Sequence, residues 1–180
     1  MPDYAGFREV EVFDVLCAHM RQVMVKLKEA VDEFLSQKRI AVAGVSRSPD
    51  QAANLVYRRL RDAGYEVFPV NPNAAEVEGE TCYPDVRSVP GGVDAVVVAT
   101  TPEVAQTVAE DCAQAGVKRV WLHRGIGPGS VSEEAADFCR SSGIQVIAGG
   151  CPNMFLPGTD VGHKCMRWWQ SLTGGLPKNV

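Results

Sequence analysis

The sequence predicts an α/β protein: one doubly wound parallel sheet preceded by an N-terminal helical arm. Short runs of Val, Ile and Ala recur along the chain without polar alternation, the pattern of strands covered by helices on both faces. Between these runs lie stretches of helical periodicity that stop at Gly64 and Gly116. The order of parts from Ile40 to Pro72 is the third observation. An apolar run ending in Gly44-Val-Ser, a polar turn, a helical pattern, a glycine stop and a second apolar run make a βαβ unit.

Taken in order, the elements begin with the arm. From Phe13 the apolar residues Leu16, Met20, Val23, Leu27, Val31 and Phe34 recur at three- and four-residue steps and predict one amphipathic helix, with His19 on its polar side. Residues 1–37 form the arm in this reading and residues 38–180 the body. The apolar stripe needs a cover, either the body of its own subunit or a homodimer contact through the same helix. The body opens with a strand from Arg39 to Val45. Ser48-Pro-Asp-Gln51 then reads as a capping box with Pro at the first helical position, and Ala53, Val56, Tyr57 and Leu60 as the buried face of that helix. A strand from Glu66 to Val70 is followed by a variable stretch containing Gly79-Glu-Thr-Cys-Tyr-Pro84. Next come a strand from Val93 to Ala99, a helix opened by Pro102-Glu103 and a strand from Arg119 to Leu122. A helix from Val131 to Arg140 and a strand from Ile144 to Ile147 complete the sheet. Thr159 to Leu172, with Trp168 and Trp169, reads as a closing helix packed on the body.

Composition excludes several classes of function. At 180 residues and 46% hydrophobic, the chain can bury one core with an appendage. A formal net charge of −4 argues against a nucleic-acid-binding protein, whose contact face needs an excess of Lys and Arg. Cys17, Cys82, Cys112, Cys139, Cys151 and Cys165 are scattered without zinc-like spacing and read as free thiols in a reducing cytoplasm. No secretion signal is legible, and no apolar run approaches the ~20 residues of a membrane span. A soluble, cytoplasmic protein with no metal and no membrane partner is expected.

The first strand-to-helix turn carries the functional signal. A nicotinamide or flavin site would show Gly-x-Gly-x-x-Gly here and an acid at the end of the second strand. This chain has Gly44-Val-Ser-Arg-Ser-Pro49 and Pro69-Val-Asn-Pro72 instead, with one glycine and no acid. Taken with Asn54-Leu-Val-Tyr57, Gly64-Tyr65, Gly79, Cys82-Tyr-Pro84 and Val93-Asp94, these motifs resemble the CoA-binding domain family. That family is related to the nucleotide-binding domain of the succinyl-CoA synthetase α subunit. The resemblance runs from about Arg39 to Ile147, and Trp121-Leu122, Phe138-Cys139 and Gly150-Cys151 are similar to a stand-alone subgroup.

This resemblance implies a Rossmann-like fold and coenzyme A, or an acyl-CoA, as ligand. It puts Gly44, Val45, Ser46 and Arg47 around the CoA phosphates, Asn54 at the adjoining helix start, and Asn71 and Pro72 beside the adenosine. Ala99, Thr100, Thr101 and Pro102 would face the pyrophosphate or the pantetheine arm. Bare N–H groups and hydroxyls suit phosphate oxygens, and a strand ending in Pro gives an apolar shelf for a base. Relatives commonly carry Lys or Arg near the positions of Asp50 and Gln51, so Asp50 should repel the 3′-phosphate, with Arg47 and Arg58 as compensating cations. His123 and Arg124 end a strand on the same edge as the first turn, where they could meet an anion. Cys151 invites comparison with acyl transfer, but a buried structural thiol is the simpler reading, as is a packing role for His163. The histidine-bearing catalytic domain of the synthetases has no counterpart in this sequence. The expectation is a small CoA-binding protein without catalysis of its own. The alternatives are an NAD(P)-binding oxidoreductase-like domain and an interaction module whose nucleotide site has decayed.

Overall fold

The computed structural model describes residues 22, 24–125, 127, 129–159, 161–173 and 177. Leu16, Cys17, His19, Met20 and Val23 of the arm lie outside the described residues. Helix α1 occupies residues 24–35, and its positions Leu27, Ala30, Val31 and Phe34, spaced as one helical stripe, are buried.

Five strands form the main sheet: β1 (Arg39–Ala43), β2 (Glu66–Val70), β5 (Ala95–Val98), β6 (Arg119–Leu122) and β7 (Gln145–Ala148). All pair in parallel in the order β2-β1-β5-β6-β7, so the strand order reverses between β1 and β5. Helices α2 (Ala52–Asp62), α3 (Pro102–Gln114) and α4 (Glu133–Ser141) make the crossovers, and α5 (Val161–Thr173) follows the sheet. Alternate strand residues point to opposite faces. Ile40, Val42, Val97, Trp121 and Ile147 pack with the apolar faces of α1 and α2. On the other side Ala41, Ala43, Val96, Val98, Val120 and Val146 pack with α3 and α4. The fold is therefore a Rossmann-like α/β sandwich. Pro69 lies within β2, where an edge strand tolerates a residue without an N–H.

Several details differ from the sequence reading. Helix α2 starts at Ala52 because Gln51 is still extended and its N–H reaches back to the Ser48 carbonyl at 3.3 Å. Ser48–Gln51 is thus a turn, and the capping box is not formed. Helix α4 starts at Glu133, with the Ser132 hydroxyl accepting from the Ala135 N–H at 3.3 Å. The variable stretch contains a hairpin, β3 (Glu76–Val77) and β4 (Glu80–Thr81), turned by Glu78 and Gly79, both at positive φ. In the closing helix Trp168 is 64% exposed rather than packed on the body.

The arm is bolted to the sheet at two points. Phe34 meets Trp121 edge-on with ring centroids 5.3 Å apart, and Trp121 donates its indole N–H to the Gly149 carbonyl at 2.9 Å. Glu33 accepts from the Arg119 guanidinium at 2.6 and 3.0 Å and from the Gln145 amide at 2.9 Å. The described part of the stripe is thus covered within the subunit. Truncating a fully buried Phe typically costs about 3–5 kcal/mol. Phe34→Ala should therefore lower unfolding stability in urea by about that amount without changing the sedimentation mass. A full-strength Phe34→Ala protein would mean that the arm does not pack as described.

Candidate functional site

The carboxyl ends of β2, β1, β5 and β6 lie side by side at the point where the strand order reverses, the position at which open α/β sheets bind ligands. Each end is tied to the next. The Gly44 N–H donates to the Val70 carbonyl at 2.9 Å, and the Asn71 amide donates to the Val45 carbonyl at 2.8 Å. Gly44 has φ +103, and a Cβ built on it would lie 2.4 Å from the Ala99 carbonyl oxygen and 3.2 Å from the Thr100 methyl. The β1 turn and the β5 turn are therefore in direct contact. Ser130 joins β5 to β6: its hydroxyl donates to the Thr100 carbonyl at 2.7 Å and its N–H to the His123 carbonyl at 2.8 Å. Gly129, at φ +61, permits this, since a Cβ there would lie 2.3 Å from the His123 carbonyl oxygen.

Every residue that the sequence reading named for the ligand lies along this rim, but several have their polar atoms committed to the protein itself. Asn54 is buried; its Oδ1 accepts from the Ser46 N–H at 3.1 Å while its Nδ2 donates to the Ser46 carbonyl and to Glu78, each at 2.7 Å. Glu78 also pairs with Arg58 at 2.6 Å, and Arg58 donates to the Pro49 carbonyl at 3.0 Å. Arg58 is thus neutralised by Glu78 and is not the compensating cation expected of it. Asn71 accepts from the Asn73 N–H at 2.9 Å, so both ends of its amide are occupied within the protein. Ser46 and Ser48 close a small turn through the Ser46 hydroxyl at 3.2 Å. Arg47, Asp50, Pro72, Thr101 and Arg124 are exposed.

Glu78 and Ser130 are site-shaping residues that sequence reasoning missed. The Glu-Gly pair between Val77 and Glu80 was the one available sign of a hairpin at Glu78. Nothing local marks Ser130.

Electrostatics separates the starts of the three crossover helices, α2, α3 and α4. Helix α4 has its Ser132 cap with Glu133 and Glu134 in its first turn. On α3 the Glu103 carboxylate accepts from its own N–H and from the Thr101 hydroxyl, which hold it below the usual carboxylate range. Helix α2 has no side-chain cap and no acid in its own first turn, so no side chain of the helix itself offsets its positive dipole end. Burial, with a smaller contribution from His163, pulls the His123 imidazole down to about 4. His123 is therefore neutral near pH 7 and supplies no positive charge to an anion. Cys151 is 3% exposed, and burial pushes the Cys139 thiol up to about 11 and Cys112 higher still. Among the described residues no group of His, Cys, Asp and Glu could hold a metal ion, and no helix is long and apolar enough to cross a membrane.

Residues 38–157 match the CoA binding domain family. The chain belongs to that family. The match takes in Gly149–Pro157, the loop beyond the last strand, which the motif resemblance had reached only in part. The chain is 34% identical over 125 residues to the uncharacterized protein YneT of Bacillus subtilis, across 69% of this chain and 90% of that one. It is 32% identical over 130 residues to the α subunit of an ADP-forming acetate–CoA ligase II of Pyrococcus furiosus, across 67% of this chain and 28% of that subunit. The chain thus spans just over a quarter of the length of that ligase subunit. A solved structure of a hypothetical protein from Pyrococcus horikoshii superposes with a TM-score of 0.64 at 32% identity, across 69% of this chain and 85% of that one.

Backbone N–H groups at the uncapped start of α2, with the exposed Arg47 nearby, form a donor set of the kind that holds a phosphate. Gly44 is required for a different reason from phosphate approach, because its missing Cβ leaves room for the Ala99 carbonyl. A Gly44 variant is therefore not silent toward the fold. Gly44→Ala should lower stability by at least about 2 kcal/mol, from left-handed strain and the carbonyl clash together, as read by thermal or urea unfolding. An unchanged melting curve would mean that β1 and β5 are not in contact there.

The depressed His123 gives a pH signature. An unfolded chain titrates its histidines near 6.5, so between that pH and about 4 the unfolded state takes up a proton that folded His123 refuses. Stability therefore falls as pH drops through this window and is unaffected by His123 above it. His123→Gln should remove on the order of 2–3 kcal/mol of that fall. Parallel acid-unfolding curves for the two proteins would place the imidazole in water.

Proposed function

We propose that the chain binds coenzyme A or an acyl-CoA, with the pyrophosphate on the Gly44–Arg47 turn at the start of α2, and that it has no catalysis of its own. The observation that carries this reading is the contrast among the helix starts: α3 and α4 hold their own carboxylates, while α2 has neither acid nor cap. A diphosphate is the kind of group that would fill that role. The adenosine would lie on Pro72, and the pantetheine arm would leave past Thr100 and Thr101. A nicotinamide dinucleotide is a poorer fit, because β2 ends in Asn71-Pro72 and the Asn71 amide is held by Val45 and Asn73. A binder rather than an acyl-transfer enzyme is supported by the burial of His123 and Cys151, which leaves neither as an exposed base or nucleophile. The buried free thiols of Cys82, Cys112 and Cys139 are in keeping with a reducing cytoplasm.

Calorimetric titration with CoA, acetyl-CoA, NAD and ATP in parallel tests the reading. CoA and acetyl-CoA should bind while NAD and ATP give no comparable heat. Saturable binding of NAD with CoA silent would overturn it. Asp50 refines the placement, since it is exposed one residue before the α2 cap. Asp50→Lys should strengthen CoA binding by about 1–2 kcal/mol at low salt and less at high salt. Dephospho-CoA, which lacks the 3′-phosphate, should gain much less. Equal gains for the two ligands would move Asp50 away from that phosphate.

A further inference from the structure

Residues 72–82 make an excursion from the end of β2. Two backbone bonds close its base, from the Asn71 N–H to the Tyr83 carbonyl at 2.8 Å and from the Tyr83 N–H to the Pro69 carbonyl at 2.9 Å. Pro72 opens the excursion, and the hairpin of β3 and β4 forms its tip. Val77, 3% exposed, belongs to the apolar cluster that includes Ala53, Val56 and Tyr57 of α2. The hairpin turns on Glu78-Gly79, between the paired residues Val77 and Glu80, with φ 52 and φ 79. A two-residue turn with both positions left-handed is ordinarily filled by Asn-Gly or Gly-Gly, because other side chains are strained there. The turn itself therefore does not account for a glutamate at 78.

The contacts of its side chain do. The Glu78 side chain is 13% exposed, and its Oε1 accepts from the Asn54 amide at 2.7 Å and from the Arg58 guanidinium at 2.6 Å. Each partner passes the hold on to the turn before α2. Asn54 takes the Ser46 N–H on its Oδ1 at 3.1 Å and donates to the Ser46 carbonyl at 2.7 Å, while Arg58 donates to the Pro49 carbonyl at 3.0 Å. Ser46 and Pro49 bracket the exposed Arg47. One carboxylate oxygen, 20 residues beyond Arg58 and 24 beyond Asn54 in the chain, thus grips both ends of that segment. Without it the Asn54 amide, 1% exposed, would be left with a buried unpaired hydrogen.

We propose that Glu78 is the positioning residue of the anion site, a deepening that rests on the CoA reading above. Through Asn54 and Arg58 it sets the path of residues 46–49, and through the excursion it joins that path to Pro72, beside which the adenosine is placed. The diphosphate and the adenosine of one ligand would then meet a turn and a shelf held at a fixed separation, and such preorganisation raises affinity. A residue held in a strained conformation by the contacts of its side chain is the pattern of a position chosen for function.

Both bonds end on Oε1, so the amide oxygen of Glu78→Gln can accept both, whereas Glu78→Ala accepts neither. The two variants lose the same charge, and the difference between them reads the positioning alone. In calorimetry on the full chain below its melting transition, Glu78→Ala should bind CoA at least about tenfold more weakly than Glu78→Gln. Glu78→Gly suits the left-handed turn better than either and should show the same loss, which keeps the comparison open if Glu78→Ala does not fold. In the ligand-free protein, hydrogen exchange of the Ser46 N–H should be at least about tenfold faster in Glu78→Ala and Glu78→Gly than in Glu78→Gln. The Gly44 N–H, held by the Val70 carbonyl, should keep its rate. Equal CoA affinities in the Gln and Gly variants would overturn the proposal and leave the CoA reading standing, as would variants that differ only in melting temperature. Equal Ser46 exchange in all three variants would overturn it as well. If the unaltered chain binds no CoA compound, the CoA reading fails first and the role of Glu78 in binding with it.

Discussion

The approach of Gly44 to the Ala99 carbonyl is the contact on which the rest of the rim depends. It occurs where β1 and β5 part, and it brings the two turns together with no side chain between them. From that contact the order spreads outward by hydrogen bonds. Val70 and Asn71 fix the β1 turn from one side, and Ser130 fixes the β5 turn and the end of β6 from the other. Four strand ends are thus held as one surface. A larger residue at 44 would have to separate β1 from β5, and the displacement would be shared by every group bonded along the line.

Side chains at this rim shape the backbone more than they offer themselves to a ligand. Asn54 holds Ser46 by both its N–H and its carbonyl, and Glu78 in turn holds Asn54 and Arg58. Buried polar groups of this kind are costly unless all their bonds are made, and the Asn54 amide meets that condition. The consequence is a turn whose backbone path is fixed in advance, with the Gly44, Ser46 and Ser48 N–H groups already donating within the protein. Asn71 plays the same part from β2. Its position beside a ligand, which the sequence suggested, and its role as a brace, which the structure adds, are compatible because the brace sets where the following Pro72 stands.

The layers of the fold were legible because they repeat. Val96 to Val98 could only be a strand covered on both faces, Gly64 and Gly116 stop helices by allowing positive φ, and the stripe through Leu27, Val31 and Phe34 requires a cover. The rim was legible as a location, through the Gly44 turn and the Asn71-Pro72 end of β2. Its chemistry was less so, because single long-range contacts leave no period in the sequence. Ser48-Pro-Asp-Gln51 has the composition of a capping box, yet the chain makes a turn there and starts the helix at Ala52. Glu78 lies in a hairpin whose strands are two residues long, too short to show alternation. The role of His123 depends on its burial, with Gly125 against its ring and His163 near it, and a residue that looks like a physiological base is held neutral as a result.

The proposed anion site sits on a chain of net charge −4, and the charge distribution makes room for it. Several arginines of the body are engaged away from the rim: Arg39 with Glu66, Arg87 with Asp85 and Asp111, and Arg119 with Glu33. The carboxylates of α3 and α4 then make two of the three helix starts unattractive to a further negative group. What is left at α2 is short-ranged, a set of N–H groups and a helix dipole whose influence fades within about one turn. Such a site adds little to long-range steering, which depends on net charge and field. On the proposed reading it would discriminate by fit instead: an anion would have to reach the turn between Gly44 and Ala52 before it gained anything, and the exposed Asp50 would penalise surplus negative charge.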